Sequence, residues 1–139
     1  MNKKQLKTRR NSTVALLMSN AKWRKLFELA ARIEPPLGGV TWQFLFTDEP
    51  QIGPLNVAQC LVCDNSHFAD CWPFPCIELK DIDWIFVPDE YHSSHSDPKR
   101  PLPMLKNDVN GFIALVQQNG QFPLERTDTG VKITGYQWR

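Results

Sequence analysis

An α+β fold is predicted for this chain: an antiparallel or mixed sheet of about five strands, packed by N-terminal helices and one later helix. Three observations predict it. Residues 21–33 place Trp23, Leu26, Phe27, Ala30 and Ile33 at the i, i+3, i+4, i+7 spacing of one buried helix face. Short runs rich in β-branched and aromatic residues recur, bounded by Pro or Gly. Those runs largely follow one another instead of alternating with helices, which favours pairing between neighbours in the chain. A length of 139 residues is that of one domain, 1–139, and 42% apolar with 22% charged residues is the composition of a folded one.

In chain order, residues 3–18 are expected to form a first helix, with Leu6, Val14, Leu17 and Met18 as its apolar positions. Asn20 is the expected N-cap of a second helix, 21–33, which Pro35 and Pro36 end because neither can continue it. Residues 40–46 read as a strand, after which Pro50, Gly53 and Pro54 mark a loop. Further strands are expected at 57–64 and 82–87, the latter closed by Pro88. Residues 88–103 form a polar, proline-rich loop of a length usually tied to function or disorder. Asn107 or Asp108 can cap a helix over 109–118, with Phe112, Ile113, Leu115 and Val116 as its apolar side and Gly120 as its left-handed terminator. Residues 122–126 and 131–136 then read as a terminal hairpin, with Gly130 suited to positive φ in its turn.

Charge is strongly segregated behind a net of +1. Residues 1–33 carry nine Lys/Arg against Glu28, a net of +8 on the helical segment. Residues 34–98, mainly strand and loop, carry eleven acids against Lys80, a net of −10. Residues 99–139 carry +3 on a helix and the hairpin. Such segregation bears on partners and association rates. No apolar run approaches the roughly 20 residues that span a bilayer. The apolar stretch 14–18 is too short for a secretory signal, so a cytoplasmic protein with reduced thiols and no membrane partner is expected.

The sharpest constellation for chemistry is Cys60, Cys63, His67, Cys71 and Cys76, soft ligands suited to tetrahedral zinc. Cys60 and Cys63 fall in expected strand, where residues three apart face opposite ways, and Leu61-Val62 is a poor turn. The expectation is therefore small buried hydrophobes, with no metal and no cofactor. A redox role for the Cys60/Cys63 pair would need a helix start beside it, and none is apparent. His92, His95 and Asp97 could hold a metal or move a proton, but a solvated loop explains them as well. No phosphate loop, nucleophile elbow or helical His pair occurs, and no catalytic residue is assigned.

Lys3, Lys4, Lys7, Arg9 and Arg10 could neutralise nucleic-acid phosphates, with Trp23 stacking on a base. Trp23 also lies on the apolar stripe of its helix, which makes it core material. Glu78, Asp81, Asp83, Asp89 and Glu90 form the densest acidic stretch and are the expected contacts to a basic protein. Alternation along 82–87 predicts Asp83 exposed and Trp84 turned inward.

The segments Glu78-Leu79-Lys80-Asp81-Ile82-Asp83-Trp84-Ile85-Phe86-Val87-Pro88 and Phe122-Pro123-Leu124-Glu125-Arg126, followed by Gly130 to Tyr136, are similar in style to small bacterial immunity proteins. Those proteins antagonise toxins of contact-dependent inhibition and other polymorphic toxin systems. The resemblance implies a cytoplasmic, non-catalytic binder that neutralises a cognate toxin domain, and it transfers no site residues. The alternative is a nucleic-acid-binding regulator using the basic N-terminal segment. A zinc-binding protein using the Cys60–Cys76 cluster comes third.

Overall fold

The computed structural model describes residues 13–53, 55, 68–70, 76–92, 99 and 102–138. Of residues 13, 14, 53, 68–70, 76–78 and 138 it describes the backbone. The predicted α+β class holds: five strands form an antiparallel sheet, and two helices lie among the described residues. The sheet consists of β2 (Val40–Phe44), β3 (Gln51–Gly53), β6 (Ile82–Pro88), β9 (Leu124–Thr127) and β10 (Gly130–Thr134), in the order β3-β2-β6-β10-β9. Three two-stranded pairs flank it. These are β1 (Thr13–Leu16) with β11 (Tyr136–Trp138), β4 (Phe68–Asp70) with β5 (Cys76–Glu78), and β7 (Glu90–Tyr91) with β8 (Leu105–Lys106).

Helix α1 (Asn20–Ala30) buries the predicted face of Trp23, Leu26, Phe27 and Ala30, and Leu29 with them. Its cap differs from the expected Asn20. Ser19 stays extended, and its hydroxyl accepts from the Lys22 N–H at 3.2 Å. That satisfies one of the amides a helix start leaves unpaired. After Ala30 the chain tightens: Arg32 N donates to Leu29 O at 3.0 Å and Ile33 N to Ala30 O at 3.1 Å. The α-helix is therefore shorter than 21–33, and its last turn is of i→i+3 type. Helix α2 (Val109–Gln118) has the bounds expected, with Asp108 as its cap. Gly120 takes a positive φ of 151°.

The first predicted helix is overturned where the structure describes it. Residues 13–16 are strand β1, paired to β11 at the other end of the chain. The apolar spacing of Val14, Leu17 and Met18 reads locally as helix, but pairing with a segment more than a hundred residues away decides the conformation. The strand expected at 57–64 lies outside the described residues.

The core lies between the helices and one face of the sheet. Val40, Trp42, Phe44, Ile85, Val87, Val131 and Ile133 line that face, each 0–1% exposed. Rings run through it from Trp23 to Phe27 (6.1 Å between centroids), Trp42 (5.7 Å), Phe44 (6.0 Å) and Phe46 (5.1 Å). Apolar area removed from water is worth about 25 cal/mol per Å², and aromatic pairs add about 0.5–1.5 kcal/mol each.

Strand β6 corrects the expected orientation of Asp83 and Trp84. The register with β2 runs Gln43↔Trp84 and then Phe44↔Ile82, so Asp83 has no opposite residue and forms a bulge. Ile85 and Val87 take the inner face, and Trp84 and Phe86 therefore alternate outward. Asp83 is 2% exposed, not a surface acid, and Trp84 is half-buried on the outer side.

Candidate protein-docking surface

The five acids expected at a docking face divide in the structure. Asp81 (8% exposed) and Asp83 (2%) are buried where β6 begins, so neither can meet a partner. This segment is anchored from both sides. Leu45 N donates to Asp81 O at 2.8 Å, Gly135 N donates to Asp83 O at 2.7 Å, and the Tyr136 hydroxyl donates to Lys80 O. Glu78 contributes its backbone to β5 opposite Phe68. Asp89 and Glu90 lie together near the surface, where β6 turns into β7.

That corner is built by three chain segments. Asp89 N donates to Thr129 O at 2.8 Å, and Asn107 N donates to Asp89 O at 2.9 Å. The Arg126 guanidinium meets Asp89 with both terminal nitrogens, Nη2 to Oδ1 at 2.8 Å and Nη1 to Oδ2 at 3.1 Å. The same Nη1 donates to Gly130 O at 2.8 Å. Asp89 is thus engaged by an arginine 37 positions away, and its charge serves the fold. Both side chains of this pair are more than a third exposed, so its electrostatic worth is about 1 kcal/mol or less.

Asn107 fastens the corner to the loop after α1. Its amide nitrogen donates to Gly38 O and to Pro88 O, each at 2.8 Å, and its amide oxygen accepts from Gly38 N at 3.0 Å. Asn107→Ala is expected to cost about 2 kcal/mol, because partly buried backbone groups then lose their partners. Urea unfolding checks it, and an unchanged midpoint would refute the clamp.

Around the corner lies an open concavity of about 440 Å³, lined by Asp89, Glu90, Met104, Asp128 and Thr129. Met104 (39% exposed) belongs to this lining, and its chain neighbours Leu102 (46%) and Leu105 (44%) are exposed as well. Glu90 lies 3.9 Å from Lys106, with half its side chain exposed, and among the described residues no hydrogen bond or ion pair reaches the exposed carboxylate of Asp128. Comparison with known proteins finds no matching family model, curated protein or solved structure. The site therefore stands on its own geometry.

A second surface lies on the outer face of the sheet. Register carries Ile52, Thr41, Phe86, Lys132 and Glu125 in one row across the strands. Thr41, Trp84, Phe86 and Lys132 line an open concavity of about 280 Å³, with the Lys132 ammonium 4.9 Å from the Trp84 ring centre. The ammonium already has an aromatic face beneath it, and Glu125 is its cross-strand neighbour. Nothing adjoining this face specifies an occupant.

The other expected sites have these positions. Cys60, Cys63, His67 and Cys71 lie outside the described residues, and Cys76 is placed by its backbone at the start of β5. His92 is exposed, and His95 and Asp97 lie outside the described residues. Lys3, Lys4, Lys7, Arg9 and Arg10 lie outside them too. Trp23 is 1% exposed, in the core, so it is not a stacking platform for a base. Among the described residues no helix is long and apolar enough to cross a membrane.

The sequence reading missed Leu102, Met104, Leu105 and Asp128. A signal exists for the first three: Leu102-Pro103-Met104-Leu105 is apolar, although it straddles the end of a polar loop and the approach to a helix. Asp128 gave none, because an acid in a Thr-Asp-Thr-Gly turn is ordinary turn chemistry.

Proposed function

We propose that the chain is a non-catalytic protein-binding module for a basic protein, and specifically an immunity protein that neutralises a cognate toxin domain. Met104 beside the carboxylates of Glu90 and Asp128, with Leu102 and Leu105 exposed in the same chain segment, carries the binding reading. Exposed apolar side chains rimmed by charge are the usual composition of a docking site. The carboxylates favour a basic partner and exclude acidic ones. The toxin-neutralising role rests on the sequence resemblance, and the segregated charge agrees with it.

The test is co-expression with a secreted toxin encoded beside this gene. Cells making both are expected to survive, and purified proteins to form a complex with a dissociation constant of about 1 μM or tighter by calorimetry. Binding should weaken as salt rises, because exposed charges are screened. Failure to bind such a toxin at low or moderate salt would overturn the reading.

A further inference from the structure

We infer that the concavity at the β6–β7 corner takes a Lys or Arg side chain from an apolar segment of the partner, with Glu90 and Asp128 holding its charge and Met104 its stem. The inference rests on the binding reading above and names the partner chemistry for that surface. Three neighbouring carboxylates do not contribute equally. Arg126 already engages both oxygens of Asp89, leaving that carboxylate little need of another cation. Among the described residues Glu90 has a distant lysine at 3.9 Å, and Asp128 has no ion-pair partner. These two retain charge to offer.

The apolar half of the site selects the kind of cation. Met104 lines the same concavity as both carboxylates, and Leu102 and Leu105, close to it in the chain, are exposed apolar side chains. Lys and Arg bury a hydrocarbon stem and keep the charged head at a polar rim, which is the pattern lined up here. A methionine thioether adapts to stems of different shape. A bare metal ion fits poorly, because among the described residues no three acids, His or Cys converge as metal ligands. Apolar neighbours of the cation in the partner would cover Leu102 and Leu105.

The experiment uses the full chain and a synthetic peptide of alternating Leu and Lys, with a Leu/Glu peptide as its opposite. Fluorescence anisotropy at low and moderate salt reads the affinity. The lysine peptide should bind, the glutamate peptide should not, and Glu90→Lys with Asp128→Lys should weaken binding at least about tenfold. A charge-matched pair on exposed positions elsewhere, Glu28→Lys with Asp48→Lys, should weaken it far less. Circular dichroism of each variant shows that the fold persists. Equal losses in the two pairs, no loss in either, or equal binding of both peptides would overturn the inference. A cognate toxin bound as tightly by the Glu90/Asp128 variant as by the parent would also overturn it, leaving the module reading intact. A toxin that the parent itself fails to bind counts against the proposed function, and the peptide comparison still decides this inference.

Discussion

Gly130→Ala is expected to lower stability by about 3 kcal/mol, a large share of what holds a domain of this size together. Gly130 opens β10 opposite Pro88 on one side and Thr127 on the other. A Cβ built there would lie 2.2 Å from the Val87 carbonyl oxygen and 2.9 Å from the Pro88 Cα. Both are backbone atoms of β6, so the two central strands must separate to admit the methyl group. Overpacking of this kind typically costs about 1–3 kcal/mol, and a rigid backbone neighbour belongs at the upper end. The glycine is needed for close approach, not for the positive φ expected of it, since Gly39 and Gly120 are the described residues with positive φ. Thermal unfolding should show a fall of roughly 10 °C, while Thr129→Ala, exposed next door, should change stability by no more than about 0.5 kcal/mol. A loss near 1 kcal/mol for Gly130→Ala would show that the strands relax at little cost, and the close-approach argument would fail.

Phe27→Ala is expected to cost still more, about 4 kcal/mol. The ring is 0% exposed and lies between Trp23 and Trp42 in the aromatic row. Its removal leaves a cavity where α1 meets β2 and breaks two ring contacts at once. Phe46→Ala at the end of the row should cost about half as much, because Phe46 is half-buried and among the described residues stacks on Phe44 alone. Urea midpoints give both values, and near-ultraviolet circular dichroism should lose the Trp23 and Trp42 signals early in the first variant. Equal costs for the two substitutions would mean that burial depth in this row is not what sets its stability.

These variants bear on different links between sequence and structure. The face of α1 and the whole of α2 were legible because helix spacing and caps are local: Trp23, Leu26, Phe27 and Ala30 lie within two turns, and Asp108 sits next to the helix it starts. The α+β class and the terminal hairpin were legible for the same reason. The hairpin's glycine was correctly located and wrongly explained, since a short Thr-Asp-Thr-Gly turn suggests backbone freedom and cannot show a neighbouring strand's carbonyl.

The candidate site was far less legible. Along β6 the run Trp84-Ile85-Phe86-Val87 is apolar on both faces, so alternation alone does not say which side is core. Pairing with β2 and β10, and the helices above Ile85 and Val87, turned Trp84 and Phe86 outward and buried Asp83 in a bulge. The acids near Glu78–Glu90 read as one surface in sequence because charge adds along a segment. In space Asp81 and Asp83 are buried, Asp89 is held by Arg126, and Asp128 joins Glu90 from another turn.

By itself the sequence determined the elements whose signals lie within a few residues: the faces of α1 and α2, their caps to within one position, the strand-rich composition and the charge of each segment. Only the tertiary structure decided that residues 13–16 are a strand, which face of β6 is core, and which carboxylates line the open corner. Those outcomes depend on groups dozens of positions apart, and a periodicity read over one turn or one strand contains no term for them.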